Sequence, residues 1–306
     1  MKVVLPFLIV LIFSCSNTKK SKDTGTHFAS DFEKYDALKW SAMVHFNEGE
    51  YDKSLANFLD AFEILSDEEV SDYFYAATSA LHLQKDQLAK ELIIKAIVKT
   101  NAAEHYFDSF DRFNEFRNKP LFTEIKQEYS NYQSAFFESL KYPAIYKETD
   151  SLNKLDQKIR SNGSSLDEIS RVDTANIKRL IQITKTHGWQ DKGWLLLWHQ
   201  RGTYGEQNYV WDFFKPYIDT QIKQGNMRKD FWAFFDEEKS VREKNEQIYG
   251  LFTSNYKEFP IKNIEIVDSL RAEIGKPTLL YEHEIYGIEL PRGYQAKTPL
   301  TAYKNY

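Results

Sequence analysis

The chain has 306 residues, with 45 acidic against 40 basic side chains and a formal net charge of -5. That length is enough for about two domains with real cores, and 22 Phe, 19 Tyr and 6 Trp exclude a disordered chain. Twelve Gly and 8 Pro exclude a collagen, one cysteine excludes a disulfide framework or a cysteine-cluster metal centre, and the acidic balance argues against nucleic acid as a partner.

At the amino terminus Lys2 precedes an apolar run from Val3 to Phe13, then Ser14 and Cys15. The run is too short to span a bilayer and has the charged and apolar parts of an export signal. With the sole cysteine directly behind it, the segment resembles a bacterial lipoprotein signal. The resemblance implies cleavage after residue 14, lipidation of Cys15, and a chain held at a membrane of the bacterial cell envelope, the outer membrane by expectation. Its periplasmic or surface side stays open. Residues 15–30 are polar, contain three lysines and read as a tether.

From Tyr35 the apolar spacing is helical. Leu38, Ala42, His45 and Phe46 share one face, Gly49 breaks the helix, and Tyr51, Leu55, Phe58, Leu59 and Phe62 form a second stripe. This unit resembles a tetratricopeptide repeat through Gly49-Glu50-Tyr51, Ser54-Leu55, Phe58 and Ala61. A second copy uses Ala77, Ala80 and Leu83, a turn at Gln84-Lys85-Asp86, then Ala89, Ile93 and Ala96. Ala61 and Ala96 are 35 positions apart, close to the ~34-residue period of such repeats. Gln84 stands where a turn glycine would. A third, incomplete hairpin is expected from Ala102 to Phe122, interrupted at Asn118-Lys119-Pro120. The repeat region is thus 31–140. Repeats of this kind display concave surfaces, so an envelope protein or an extended peptide is the expected partner.

A helix from Tyr129 to Leu140 leads into a second helical domain, 150–285, with a carboxyl-terminal tail at 286–306. Ser161-Asn162-Gly163-Ser164-Ser165 is a turn. Helices are expected from about Thr174 to Thr186, in the run Trp194 to His199 after Gly193, and at 207–225, 230–246 and 262–275. Strands could still form in Leu279 to Tyr306, and the six-residue run Trp194 to His199 is by itself too short to exclude one. The fold class expected is all-α: tetratricopeptide-like hairpins followed by a second, mainly helical domain.

The ordered series Asp156, Arg160, Asp173 with Asn176, Gly188-Trp189, His199, Asp236, Gln247-Ile248-Tyr249-Gly250, Val267-Asp268, Arg271, Gly275 and Pro277 resembles a bacterial domain family of unknown function, found in periplasmic and lipid-anchored proteins. The chain departs from that pattern at Gln190, Glu237 and Leu251-Phe252. The resemblance implies no activity.

Common catalytic signatures are missing from the sequence: no His-Glu-x-x-His, no phosphate loop and no Gly-x-Ser-x-Gly. No metal and no cofactor is therefore expected. The polar residues that suit chemistry are His199, as a proton-transfer group, with Asp173 or Asp236 as its partner. Arg160 suits an anion, and Trp189, Gln247 and Tyr249 suit a binding wall. Asp156 and Arg160, four apart, also fit a plain intrahelical ion pair, and Asp173 fits a helix cap. The expected function is a lipid-anchored scaffold that binds protein or peptide. The alternative is an enzyme or small-molecule-binding protein using the polar site around His199.

Overall fold

The computed structural model describes residues 30–66 and 69–304. Cys15 and the export signal lie outside the described residues. Helices dominate, and among the described residues there are no strands beyond one isolated bridge, Gln247 with Ile261.

The first hairpin is α1 (Asp31–Asn47) against α2 (Tyr51–Ile64), the second α3 (Val70–His82) against α4 (Asp86–Thr100). Ser30 caps α1 by accepting from Glu33 N at 3.3 Å. Equivalent residues of the two hairpins are buried alike: Ala42 with Ala77, Phe58 with Ile93, Ala61 with Ala96. Small residues at these points let the helices approach closely enough for Phe58 and Ile93 to fill the space between them. Both hairpin turns close in the same pattern. Glu50 N bonds His45 O at 2.9 Å, and Lys85 N bonds Ala80 O at 2.8 Å.

The third segment differs from the expected hairpin. It consists of α5 (Glu104–Ser109), a 3₁₀ turn over Asp111–Phe116, and α6 (Pro120–Gln127). Pro120 does not interrupt a helix but starts one, at the position where a missing N–H costs nothing. Phe74, Phe107, Phe110 and Phe113 meet here in the core. Arg117 ties the segment down: its Nη2 donates to the carbonyls of Phe107, Asp108 and Phe110.

Beyond α7 (Tyr129–Ser139), α8 (Pro143–Ser161) and α9 (Leu166–His187) form a long hairpin. Helix α9 begins eight residues before the expected Thr174. Its start is a capping pair: Ser165 Oγ accepts from Glu168 N at 3.2 Å, and Asp167 and Glu168 suit the positive helix end. The polar first turns hide this helix from a search for apolar spacing. Asp173 consequently lies mid-helix and is not a cap. The short α10 (Trp194–Trp198), α11 (Tyr209–Lys223) and α12 (Ala233–Lys244) close a second core around Leu180, Leu197, Phe214 and Phe235. The last helices are α13 (Val267–Glu273) and α14 (Leu279–Tyr286), so the stretch left open for strands is helical at its start.

Residues 286–304 do not trail away. Tyr303 packs edge-on against Trp40 of α1, with ring centroids 5.9 Å apart, and Tyr281 joins them. Arg228 Nη1 reaches Asp36 on α1 at 2.5 Å, and Asn47 Nδ2 donates to Glu284 O at 3.0 Å. The carboxyl-terminal elements thus fold back over the first helix.

Candidate functional site

Four of the residues singled out in the sequence come together where α8, α9 and α10 meet. Asp156 and Arg160 lie one turn apart on α8, Asp173 lies on α9, and His199 follows the last residue of α10. Arg160 spans the two acids. Its Nη1 donates to Asp156 Oδ1 at 2.8 Å, and its Nη2 to both oxygens of Asp173 at 2.8 Å. The guanidinium thus makes the local ion pair that the spacing suggested and also bridges across the hairpin to Asp173.

His199 Nδ1 lies 2.9 Å from Asp156 Oδ1. The Asp156 side chain is 1 % exposed, that of His199 12 %. With the Asp156 carboxylate as acceptor, Nδ1 is the donor of this bond, which leaves Nε2 as the ring nitrogen not engaged by Asp156. Asp156 also accepts from Gln157 Nε2 at 2.9 Å. Two aspartates and one arginine leave a formal charge of -1 beside the imidazole. One turn beyond Asp173, the buried Asn176 keeps its Nδ2 without a hydrogen-bond partner. Buried amide donors are rarely left so.

Asp156, Asp173 and His199 bring one ligand atom each to within 4.8 Å of one another, the spacing of a metal site. The chemistry of the set does not fit one. Both carboxylates already spend lone pairs on Arg160, whose positive charge bridges the acids a metal would need.

The other singled-out residues sit elsewhere. Asp236 on α12 accepts from Tyr204 OH at 3.0 Å. Burial raises its carboxyl above the usual range, with the Tyr204 hydrogen bond opposing. Gln247 is a loop tie: Nε2 donates to Phe259 O at 2.8 Å, and Oε1 accepts from Phe252 N at 2.8 Å. Tyr249 lies in the loop that Glu237 organises. Burial raises its hydroxyl. Trp189 donates its backbone N–H to Tyr217 OH at 3.0 Å and packs edge-on against Phe231.

Two residues with central positions were not picked out as site candidates. Glu237 is fully buried and accepts from the backbone N–H groups of Ile248, Tyr249 and Leu251 at 2.5, 3.1 and 2.8 Å. Burial raises its carboxyl and these donors counter that. Arg271, also fully buried, donates to Tyr249 O at 2.9 Å and Pro277 O at 2.6 Å and pairs with Glu282. The sequence signal for Glu237 was its departure from the family pattern. For Arg271 there was its place in the series but no local feature.

Comparison with family models, curated proteins and solved structures finds no match to this chain.

Proposed function

We propose that this protein binds a small polar molecule at the Asp156–Arg160–Asp173–His199 network, with His199 Nε2 as the group that meets the ligand. One observation carries the reading: a buried carboxylate holds Nδ1, and the imidazole keeps some exposure. An imidazole oriented in this way accepts a proton from a ligand O–H or N–H. Arg160 is a positioning residue, since its donors are engaged by the two aspartates. If the bound molecule carries a bond that breaks once that proton leaves, the same arrangement supports general-base catalysis.

The test is a metabolite screen read on the histidine ring nitrogens by NMR. A ligand is expected to move His199 Nε2, and His199→Ala is expected to abolish its binding while the helical circular dichroism is kept. A screen in which no compound moves His199, or a ligand that binds His199→Ala equally well, overturns the reading.

A companion reading rests on the matched turns and burial of the two amino-terminal hairpins. We infer that 31–140 is tetratricopeptide-like, that 150–285 belongs with the envelope domain family it resembles, and that Cys15 carries a lipid anchor to the outer membrane. The hairpins would then hold an envelope protein or peptide near that membrane. Support for the anchor comes from the sequence alone. Intact mass of membrane-extracted protein tests it, and an unmodified chain that retains Met1 would sink it.

A further inference from the structure

Between α1 and the carboxyl-terminal elements lies a cavity of about 450 Å³, within the size range of small-molecule sites. Ala37 and Trp40 of α1 form one side, Ile264 and Ala272 from the α13 region another, and Tyr294 and Tyr303 of the last segment the third. Trp40 and Tyr303 meet edge-on, at 85° with centroids 5.9 Å apart. The two alanines take up little of the space between the rings.

The tyrosines are fixed as walls because their hydroxyls are already bonded. Tyr294 OH donates to Asp268 Oδ2 at 2.7 Å and accepts from Leu280 N at 3.2 Å. Tyr303 OH accepts from Thr278 N at 2.8 Å. Asp268 Oδ1 accepts from Leu279 N at 3.0 Å, and Thr278 Oγ1 from Tyr281 N at 3.2 Å. The N–H groups that open α14 are thus all taken by the chain's own side chains, and a helix start that would otherwise attract an anion offers it no donor. Burial raises both phenols above their ordinary value, so the rings carry no charge at neutral pH.

The charged groups of the wall are spent in the same way. Asp36 is held by Arg228 at 2.5 Å, and its Oδ1 lies 3.6 Å from Lys39 Nζ. Glu33 pairs with Lys229, and Lys276 with Asp230 at 2.7 Å. Lys297 Nζ donates to Glu265 O at 2.5 Å, and Glu265 itself is exposed to water. A charged guest would give up its hydration here without gaining an ion pair, whereas an uncharged ring is driven in by the water it leaves.

We propose that this cavity binds an uncharged aromatic molecule, held by ring contact with Trp40, Tyr294 and Tyr303. The site shares no residue with the His199 network and stands or falls without it.

The experiment measures 2-naphthamide, 2-naphthoate and 2-naphthylmethylammonium on the whole protein, by calorimetry and by aromatic ring shifts in NMR. The three share one ring system and differ in charge. The amide is expected to bind at least about tenfold more tightly than either ion, with shifts at Trp40, Tyr294 and Tyr303. Ala272→Phe puts a ring into the space from an exposed helix position, and should weaken the amide by at least about tenfold while the helical circular dichroism is kept. Tyr303→Leu removes one wall and should weaken it by about 2- to 12-fold. His199→Ala should leave it unchanged. An ion that binds as tightly as the amide overturns the proposal. So does the absence of amide shifts at these rings, or unchanged amide affinity in a folded Ala272→Phe protein.

Discussion

Gly49 and Gln84, thirty-five positions apart, end their helices in the same left-handed conformation, with φ of 75° and 58°. Glycine adopts this without cost, whereas a side chain bears steric strain of about 1 kcal/mol. A Cβ at Gly49 would meet nothing within 4 Å, so the penalty there is backbone strain alone. Gln84→Gly should therefore raise stability by about 0.5–1 kcal/mol, and Gly49→Ala should lower it by about 1 kcal/mol. Urea unfolding of the two variants checks both signs. A Gln84→Gly protein less stable than the parent would refute the argument.

Asp72 is buried in α3, accepts from Tyr35 OH at 2.7 Å and lies 3.8 Å from Lys39 Nζ. Burial pushes its carboxyl up to about 6, while Lys39 and the Tyr35 hydroxyl pull the other way. Burial alone would lower Lys39, but the carboxylates of Asp72 and Asp36 outweigh it and hold the ammonium above its ordinary value. Between about pH 4 and pH 6 the folded protein keeps a proton on Asp72 that the unfolded chain has lost. Stability from this group is thus present below pH 4 and lost as pH rises through 6, with a ceiling of about 3 kcal/mol. The unfolding free energy of the parent, relative to Asp72→Asn, should fall across that window. Parallel pH profiles for the two proteins would exclude it.

Glu237 holds the 248–251 loop through three backbone donors. Gln has the same shape but turns one oxygen into a donor that faces other donors. Glu237→Gln should cost about 1.5–3 kcal/mol, the worth of buried hydrogen bonds to a charged group. Hydrogen exchange at Ile248, Tyr249 and Leu251 should speed up with it. Unaltered protection at those amides would mean the loop is held by Arg271 and its neighbours instead.

A side chain at Gly193, just before α10, would force Leu180 to shift. A Cβ would stand 2.6 Å from Leu180 Cδ1 in the second core. Gly193→Ala should cost about 1–3 kcal/mol through overpacking. In a Leu180→Ala background the same change should cost much less, since the clash partner is gone. A double-mutant cycle by thermal unfolding measures this, and simple additivity would contradict it.

The helical character of this chain was legible in its sequence, because helix formation is local. Apolar residues three and four apart, Gly49 and the alanines of the hairpins each act within a few turns of chain. Even the one long helix whose start was placed too late, α9, carried its signal in Ser165 and Glu168. The partners of the charged residues were a different matter. Arg160 looked like an intrahelical ion pair, and it is one, but it also bridges to Asp173. Asp156 and His199 are 43 positions apart, and Asp36 and Arg228 are 192 apart. Asp236, expected near His199, is turned to Tyr204 instead. A carboxylate reads the same in a sequence whether water or a guanidinium solvates it. Which of the two it meets is decided only when packed helices exclude the water and bring distant cations within about 3 Å.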